Sequence, residues 1–570
     1  MRGMAWKRGL FGAAAGLAWL AASQAQAQTG AQSGALAGTQ PQAAAVADDQ
    51  DLRAQVRELT ALVRDISKRD QQQIDQLTTQ VKALQSQLGQ ASQPQAQAGV
   101  QAPSATAPAT ASPSTYAQQG LPRAEQNATA QATYPPSSAE AKLTPGVGVP
   151  RIIQNSSHRL TLQSADGQYL IGLTGDIQFD AGGYADFRPD NKAVGPQALS
   201  NGVNTRRARI GIAGAAGPWG FGLVYDAGNS SDATAKGIET AQIVFGGLKG
   251  AAFEIGYSNT FFTLDQATGS NDTLFLERSS PSNIATAFNT GDSRSNAGVR
   301  FFGDRYWVGG YVTGPAEGDS HTLTSERLGA FQRAAFQVLT GHDYSLHLGF
   351  GVDELLEPPN AGNGTPETVS LSDQPELRID PTTLLTTGAI GTAAHPATGG
   401  YVLDLESAAT WSGLYWQGEL YKYQISRRGL ENADFGGAYG QVSWTLTGEQ
   451  HTYNPQSAAY FRIYPKHPFS LTDGQWGAWE LAARVSYVDL DSDFRKGVAL
   501  TSDPAAVDGG RQTGYTLGLN WYPNDLFRLL LDYNHIDYDK INGAAVKGAA
   551  LGVPVGSRSD ALTLRTQVAF

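Results

Sequence analysis

Residues 151–570 alternate apolar and polar side chains with a period of two, and this pattern constrains the fold more than any other feature of the chain. Successive side chains of a strand point to opposite faces of a sheet, so the pattern predicts strands with one apolar and one polar face. Clear examples are residues 344–352, 479–485, 515–521, 527–534 and 561–570. Segments of about ten residues with this alternation are typical of a transmembrane β-barrel whose outer face meets lipid.

The predicted fold class is therefore all-β, an antiparallel transmembrane β-barrel of about 16 strands, preceded by an N-terminal coiled-coil helix. A barrel of that size leaves an open aqueous channel. A soluble β-sandwich or secreted lectin is the alternative. Charged residues on the polar faces of many segments disfavour it, as does a final strand that ends at Phe570. Five tryptophans at segment ends suit the interfacial girdles of a barrel: Trp219, Trp307, Trp416, Trp444 and Trp521.

The composition excludes several other classes of protein. The chain has no cysteine, which excludes disulfide scaffolds, thiolate metal sites and cysteine nucleophiles. A mean hydropathy of −0.30, without an apolar run near the roughly 20 residues of a spanning helix, excludes a helical membrane protein. The net charge of −11 argues against nucleic acid as a partner. No cofactor or metal site and no enzymatic site is predicted, because the histidines lack metal-ligand spacing and no catalytic motif has its structural context.

The first 27 residues show the three parts of a secretory signal peptide. A basic head (residues 1–8) precedes the apolar stretch 9–22, and residues 23–27 end in a small-x-small signal-peptidase site. A transmembrane anchor is the alternative, but the apolar stretch is too short to span a bilayer core. We therefore expect residues 1–27 to direct export and to be removed.

Residues 48–90 follow a different period, of 3.5 residues, which predicts a coiled-coil stalk in the periplasm. A stutter separates two sets of apolar positions, which are Leu52, Val56, Leu59, Val63 and Ile66, then Ile74, Leu77, Val81, Leu84 and Leu88. A single amphipathic helix is the alternative, and the mixture of Val, Ile and Leu favours two strands over three. The flanking residues 28–47 and 91–150 are rich in Ala and Gln, and they predict a low-complexity linker and a disordered linker.

Five ordered motifs lie along residues 151–570, upstream of the C-terminal Phe570. They are Arg206–Arg209 with Tyr225–Asp226, Leu276–Ser279, Tyr439–Gln441 with Leu446–Glu449, Gly477–Glu480, and Leu517–Tyr522. Together they resemble the phosphate-selective porin O and P family of Gram-negative bacteria. The resemblance implies a homotrimeric outer-membrane porin, in contact with lipid and lipopolysaccharide, that passes small polar solutes by diffusion and favours anions such as phosphate. It also implies loops that fold inward into each pore.

The charges at the constriction of a porin decide which solutes pass. Arg207 and Arg209 are predicted to face the lumen, because Ala208 between them takes the lipid face, and Arg206 is placed at the strand mouth. The three match the family's arginine ladder, and Arg378 is retained from a second arginine-rich loop. Guanidinium groups suit phosphate because they donate two bonds and keep their charge. The alternative is that these arginines pair with acidic residues of the wall or loops.

The predicted constriction loop is the long stretch 258–293 between two strand patterns. An ordinary surface loop is the alternative. The candidate residues of this loop are Asp265, Asn271, Asp272, Glu277 and Arg278.

Two departures from the family put strong phosphate selectivity in doubt. Residues 270–272 read Ser-Asn-Asp, without the pore-lining lysine that the resemblance leads us to expect, and Asp380 stands where a guanidinium is expected. Acidic residues also outnumber basic ones in 151–570. A general or cation-preferring porin is therefore one alternative. Another is a structural protein that tethers the outer membrane to peptidoglycan through the stalk.

Overall fold

The computed structural model describes most of the chain from residue 151 onward. The described residues are 151–154, 160–189, 199–228, 237–289, 291–316, 326–359, 367–374, 376, 378–380, 383–494, 502–539 and 557–570. The signal peptide, both linkers and the coiled-coil stalk lie outside these ranges and stay predictions.

Sixteen long strands form one closed antiparallel barrel, in which each strand pairs with its neighbours along the chain and the last pairs with the first. They are β3 (Tyr169–Pro189), β4 (Gly202–Ala216), β5 (Trp219–Asp226), β6 (Gly237–Leu248), β7 (Ala251–Asn259), β8 (Ser293–Phe302), β9 (Tyr306–Thr313), β10 (Leu328–Thr340), β11 (Tyr344–Glu357), β14 (Ala397–Trp411), β15 (Leu414–Arg427), β16 (Ala433–Thr445), β19 (Ala478–Ser492), β20 (Val507–Tyr522), β21 (Phe527–Asp539) and β22 (Ser557–Ala569). The predicted all-β fold with 16 antiparallel strands is confirmed.

Six short strands lie outside the barrel wall proper. Strands β1 (Arg151–Gln154) and β2 (Leu160–Gln163) form a hairpin that extends the sheet beside the start of β3. Two further hairpins lie within long connecting segments, and they consist of β12 (Ser372–Asp373) with β13 (Leu385–Thr386) and β17 (Tyr453–Asn454) with β18 (Ala459–Tyr460). Among the described residues, no helix has the length and hydropathy that crossing a membrane requires.

The period-two pattern of the sequence separates the two faces of the barrel wall. In β20, the side chain of Leu517 on the outer face is 60% exposed, whereas that of Thr516 on the lumen face is 2% exposed. The outer face of the other strands is likewise apolar and exposed, as at Leu405, Leu420 and Val485. Exposing so wide an apolar surface to water is unfavourable, so this face meets lipid.

One of the five tryptophans predicted for the interfacial girdles lies elsewhere. Trp219, Trp416 and Trp444 are exposed on the outer face, but Trp307 is fully buried in the lumen. Its neighbours Tyr306 and Val308 occupy the outer face, so the alternation of the strand turns Trp307 inward. The prediction for Trp307 was wrong because it rested on the position of the residue at a segment end rather than on strand parity.

The connections differ in length at the two ends of the barrel. Short turns, such as 217–218 and 412–413, occupy the end at which the chain terminates, and most of the long segments occupy the other end. Residues 446–477 are an exception, because this long segment joins β16 to β19 at the short-turn end. Three long segments therefore have contacts inside the barrel. They are 260–292 between β7 and β8, 358–396 between β11 and β14, and 446–477.

The last residue of the chain adds to the pairing of β22 with β3 that closes the barrel. The backbone N–H of Gly175 donates to the carbonyl of Phe570 at 2.8 Å, and the N–H of Phe570 donates back to Gly175 at 2.9 Å. The ring of Phe570 covers Gly175, since a Cβ at this position would lie 2.3 Å from the Cζ atom of the ring. The glycine therefore leaves room for the terminal ring to lie against the first barrel strand, and a larger residue would displace that ring.

We expect Gly175→Ala to weaken closure of the barrel by about 1–3 kcal/mol, because the added methyl group overpacks against the Phe570 ring. The measurement is the unfolding temperature of the purified protein, monitored through its heat-dependent migration in gel electrophoresis. Gly310→Ala is the matched control, because a Cβ there meets no atom closer than the Cγ of Gln332 at 3.8 Å. Equal unfolding temperatures of the two variants would contradict the role of Gly175.

Candidate functional site

The segment 260–292 crosses the lumen and carries two short helices, α1 (Leu264–Ala267) and α2 (Ser280–Ala287). Thr263 caps α1 by accepting a hydrogen bond from the Gln266 N–H at 3.0 Å. The segment leaves the wall between β7 and β8 but contacts strands half a barrel away. The N–H of Leu276 donates to Asp532 of β21 at 2.8 Å, and Arg484 of β19 donates to the carbonyl of Glu277 at 2.8 Å. The five candidate residues of the predicted constriction loop all lie on this crossing segment.

A β-bulge in β4 brings three arginines to the lumen instead of two. The register between β3 and β4 pairs Gln178 with Arg207 and then Phe179 with Thr205, so Arg206 is the extra residue. Strict alternation would turn Arg206 toward lipid, but a bulge redirects the side chain it inserts. Arg206, Arg207 and Arg209 are 7%, 5% and 7% exposed, which places all three inside the barrel.

Glu277 of the constriction loop is the acidic centre of this arginine cluster. It forms ion pairs with Arg206 at 2.7 Å and with Arg565 of β22 at 3.0 Å. Burial alone would raise the pKa of Glu277, but the guanidinium groups of Arg206 and Arg565 hold that pKa well below its usual range. The carboxylate therefore stays ionised and ties the loop to two wall strands.

Arg209 and Arg378, the other paired members of the predicted pore-lining set, also have carboxylate partners. Arg209 contacts Asp226 and Glu239, each at 2.8 Å. Arg378, in the segment 358–396, contacts Asp373 at 2.9 Å and approaches Glu277 at 3.9 Å. These pairings match the alternative stated for the lumen arginines, because their charge is balanced by neighbouring acids.

Asp265 and Arg278 brace the constriction loop internally. The guanidinium of Arg278 lies 3.5 Å from the carboxylate of Asp265 and donates to the carbonyl of Thr268 at 3.2 Å. The carboxylate of Asp265 also accepts a hydrogen bond from the Ser282 hydroxyl at 2.5 Å, which joins α1 to α2. Both residues therefore hold the shape of the loop.

Arg207 differs from the other three predicted pore-lining arginines. Its Nη1 donates to the amide oxygen of Gln178 at 2.8 Å, and its Nε is buried without an acceptor. Within the described part of the chain, no carboxylate lies at ion-pair distance from Arg207. Arg462 of the segment 446–477 and Arg528 of β21 share this property, and each also has a buried N–H group that no described atom accepts.

Asn271 and Asp272 of the constriction loop connect these three arginines, two of them through direct hydrogen bonds and Arg207 through Gln178. The side-chain oxygen of Asn271 accepts from Gln178, the partner of Arg207, at 3.3 Å, and its carbonyl accepts from Arg528 at 3.4 Å. The carboxylate of Asp272 accepts from the backbone N–H of Arg462 at 3.1 Å. Burial raises the pKa of Asp272, although the nearby Arg462 opposes the shift.

Two parts of this site are not apparent from the sequence. Arg462 lies in 446–477, at the end of the barrel where short turns are expected. The unusual distance between β16 and β19 along the chain is the signal that could have identified it. Glu376 is not apparent either, although it accepts hydrogen bonds from Ser280 and from Arg484 and joins two long segments to the wall.

A sequence model of the phosphate-selective porin O and P family matches residues 171–570. Porin O of Pseudomonas aeruginosa is 21% identical over 402 residues, which cover 67% of this chain and 86% of that protein. An uncharacterized protein of Caulobacter vibrioides is 26% identical over 395 residues, covering 66% of this chain and 70% of that protein.

Solved structures of porins also resemble the chain. The anion-selective porin from Comamonas acidovorans has a TM-score of 0.42 and 11% identity, covering 70% of this chain and 100% of that one. The trimer form of the outer-membrane protein OmpT of Vibrio cholerae has the same TM-score and identity, covering 70% of this chain and 99% of that one. Because the family match spans the whole barrel, this chain belongs to the phosphate-selective porin O and P family of the outer membrane.

Proposed function

We propose that this outer-membrane diffusion channel has a narrow constriction with a weak preference for small anions, and that phosphate is one of the anions that bind there. Membership of the porin family carries the channel function. The observation that supports the anion preference is Arg207, a lumen guanidinium that has no carboxylate at ion-pair distance within the described residues.

The charges around Arg207 favour anion binding over cation binding. No atom of the described residues accepts a hydrogen bond from its buried Nε, and a guanidinium keeps its positive charge at any physiological pH. Arg462 and Arg528 lie behind the same stretch of loop and add positive potential. A phosphate oxygen that approaches Arg207 can therefore accept a charge-assisted hydrogen bond without breaking an existing ion pair.

The preference is expected to be weak because acidic residues lie in the same region. The carboxylates of Asp176, Asp272 and Asp532 are buried near the three arginines. The region also lacks a lysine at 270–272. A small excess of positive potential, rather than a strong field, therefore acts on a passing solute, and a general or cation-preferring porin is the competing function.

We expect planar-bilayer recordings in asymmetric salt to give a reversal potential of modest anion preference, and we expect phosphate to reduce the chloride current. Arg207→Ala should raise the phosphate concentration for half-block by about ten- to a hundredfold, because the loss of one charge-assisted hydrogen bond costs about 1.5–3 kcal/mol. The reversal potential of the variant should also move toward zero.

Arg305→Ala is the matched control for this experiment. It removes a guanidinium from the turn 303–305, where Arg305 donates only to backbone carbonyls of Gln337 and Val338. Its reversal potential and phosphate block should equal those of the parent. Cation preference in the parent protein, or the absence of any phosphate block, would contradict the proposal.

We also propose that the protein is a homotrimer assembled through its barrels, as the family resemblance implies. The sedimentation mass of the protein in detergent, corrected for bound detergent, should equal three chains. A variant without residues 48–90 should still sediment as three of its shorter chains, because the barrels alone then hold the trimer together. A dimer of the full chain would instead favour the two-strand preference of the stalk.

We also propose a second role for the predicted stalk, as a tether to the cell wall, because its 3.5-residue period lies ahead of the predicted linker 91–150. The full chain is then expected to sediment with purified peptidoglycan, and the variant lacking 48–90 is expected to stay in the supernatant. Equal sedimentation of the full chain and the variant would contradict the tether role of the stalk.

A further inference from the structure

Three carboxylates gather on the lumen face of β14 and β15, away from the arginine cluster described above. They belong to Asp404, Glu406 and Glu419, which are 0%, 4% and 1% exposed. Glu406 and Glu419 stand directly opposite each other in the register of the two strands, and Asp404 precedes Glu406 by two residues on the same face. Like charges placed directly opposite each other in a sheet repel, so this arrangement calls for a compensating charge.

Positively charged side chains of the described residues balance only one of these three carboxylates, that of Glu406. The Nε of Arg333 lies 3.0 Å from both oxygens of Glu406, and the Nε2 of His347 lies 3.1 Å from one of them. Glu419 accepts hydrogen bonds from the N–H groups of Leu264 and Asp265, but no cation of the described residues forms an ion pair with it. Two of the three carboxylates therefore have no ionic partner in the described protein.

Asp404 is the member that points to a ligand. Both of its carboxylate oxygens are buried, and no N–H or O–H group of the described residues donates to either of them. A buried carboxylate without a donor is costly, and the cost disappears when a cation is bound. One oxygen of each of the three carboxylates lies within 4.8 Å of the others. Two oxygens about 2.4 Å from a shared ion can be at most about 4.8 Å apart, so the spacing fits calcium.

We propose that Asp404, Glu406 and Glu419 form a calcium-binding site in the barrel wall. Carboxylate oxygens are ligands for hard cations, and Ca²⁺ accepts irregular oxygen sets of this kind more readily than Mg²⁺, which keeps several of its waters. Tyr421, which stands opposite Asp404 in the register, brings a further buried oxygen to the same place. The sequence alone does not reveal this site, because Glu406 and Glu419 become neighbours only when β14 and β15 pair.

The site is coupled to the constriction loop through Glu419. The two N–H groups that Glu419 accepts, at 2.7 and 3.1 Å, belong to the first two residues of α1. A bound cation would fix the carboxylate that anchors this helix to the opposite wall. The ion would therefore stabilise the barrel and the loop together, whatever the solute preference of the pore.

Terbium luminescence gives a direct test, because Tb³⁺ replaces Ca²⁺ and is excited through nearby tyrosines. The full chain is refolded without lipopolysaccharide, which itself binds divalent cations, and is treated with EDTA. We expect saturable Tb³⁺ luminescence that is displaced by Ca²⁺. It is excited through Tyr421 and through Tyr439, whose hydroxyl donates to Glu419. Asp404→Asn should abolish this signal. Asp434→Asn should keep it, because Asp434 of β16 is a half-exposed carboxylate paired with Lys422.

The competing arrangement leaves the site without metal and protonates one carboxyl group, so that Asp404 and Glu419 share a hydrogen bond. Thermal unfolding separates the two arrangements. Calcium should raise the unfolding temperature of the parent and of Asp434→Asn, and should leave that of Asp404→Asn unchanged. In EDTA, Asp404→Asn should be at least as heat-stable as the parent, because one repelling charge is removed. Luminescence that persists in Asp404→Asn, or a parent that calcium does not stabilise, would overturn the proposal, and neither result bears on the anion preference.

Discussion

The pairing of buried charges inside the lumen is the interaction on which the rest of this structure depends. An apolar outer face forces the polar residues of sixteen strands into one interior, where the long segments cover them. Buried ions are costly unless they are paired, so the loops supply acids to the arginines of the wall. Glu277, which contacts Arg206 and Arg565, shows how such pairs also hold a loop across the barrel.

The same constraint connects fold to function. Where an arginine is paired, as Arg209 is with Asp226, the ion pair stabilises the structure. The carboxylate then cancels most of the positive potential that a solute would meet. Where pairing fails, the remaining charge becomes available to a ligand. Arg207 shows this failure for positive charge, and Asp404 shows it for negative charge. One barrel can therefore carry an anion-preferring constriction and a cation site in its wall, because each depends on a local imbalance.

Net charge is a poor guide to either site. The chain carries −11 in total, which by itself argues against anionic solutes. Most of the lumen arginines named here are cancelled by neighbouring acids, and the charges that matter are the few without partners. Which charges these are depends on distances of a few ångströms, and composition contains no information on them.

The sixteen-stranded architecture followed from sequence periodicity and family motifs, and the residues predicted for a constriction loop lie on the segment that crosses the lumen. The lumen face of Arg207 and Arg209 could also be predicted, because alternation is a local property of a strand. Alternation failed for Arg206, whose direction depends on a bulge against β3. Segment length alone could have identified residues 446–477, but not that Arg462 within it contacts the constriction loop.

The sequence by itself determined that the chain closes into a barrel, since only a closed sheet can satisfy its backbone while presenting one apolar face to lipid. Tertiary structure alone decided which charges are paired. Glu406 and Glu419 become neighbours only through the register of β14 and β15, and Glu277 reaches Arg565 only because the loop crosses the lumen. The physical reason is that electrostatic interactions depend on separation in space, which strand register and loop path set and which alternation along the chain does not specify.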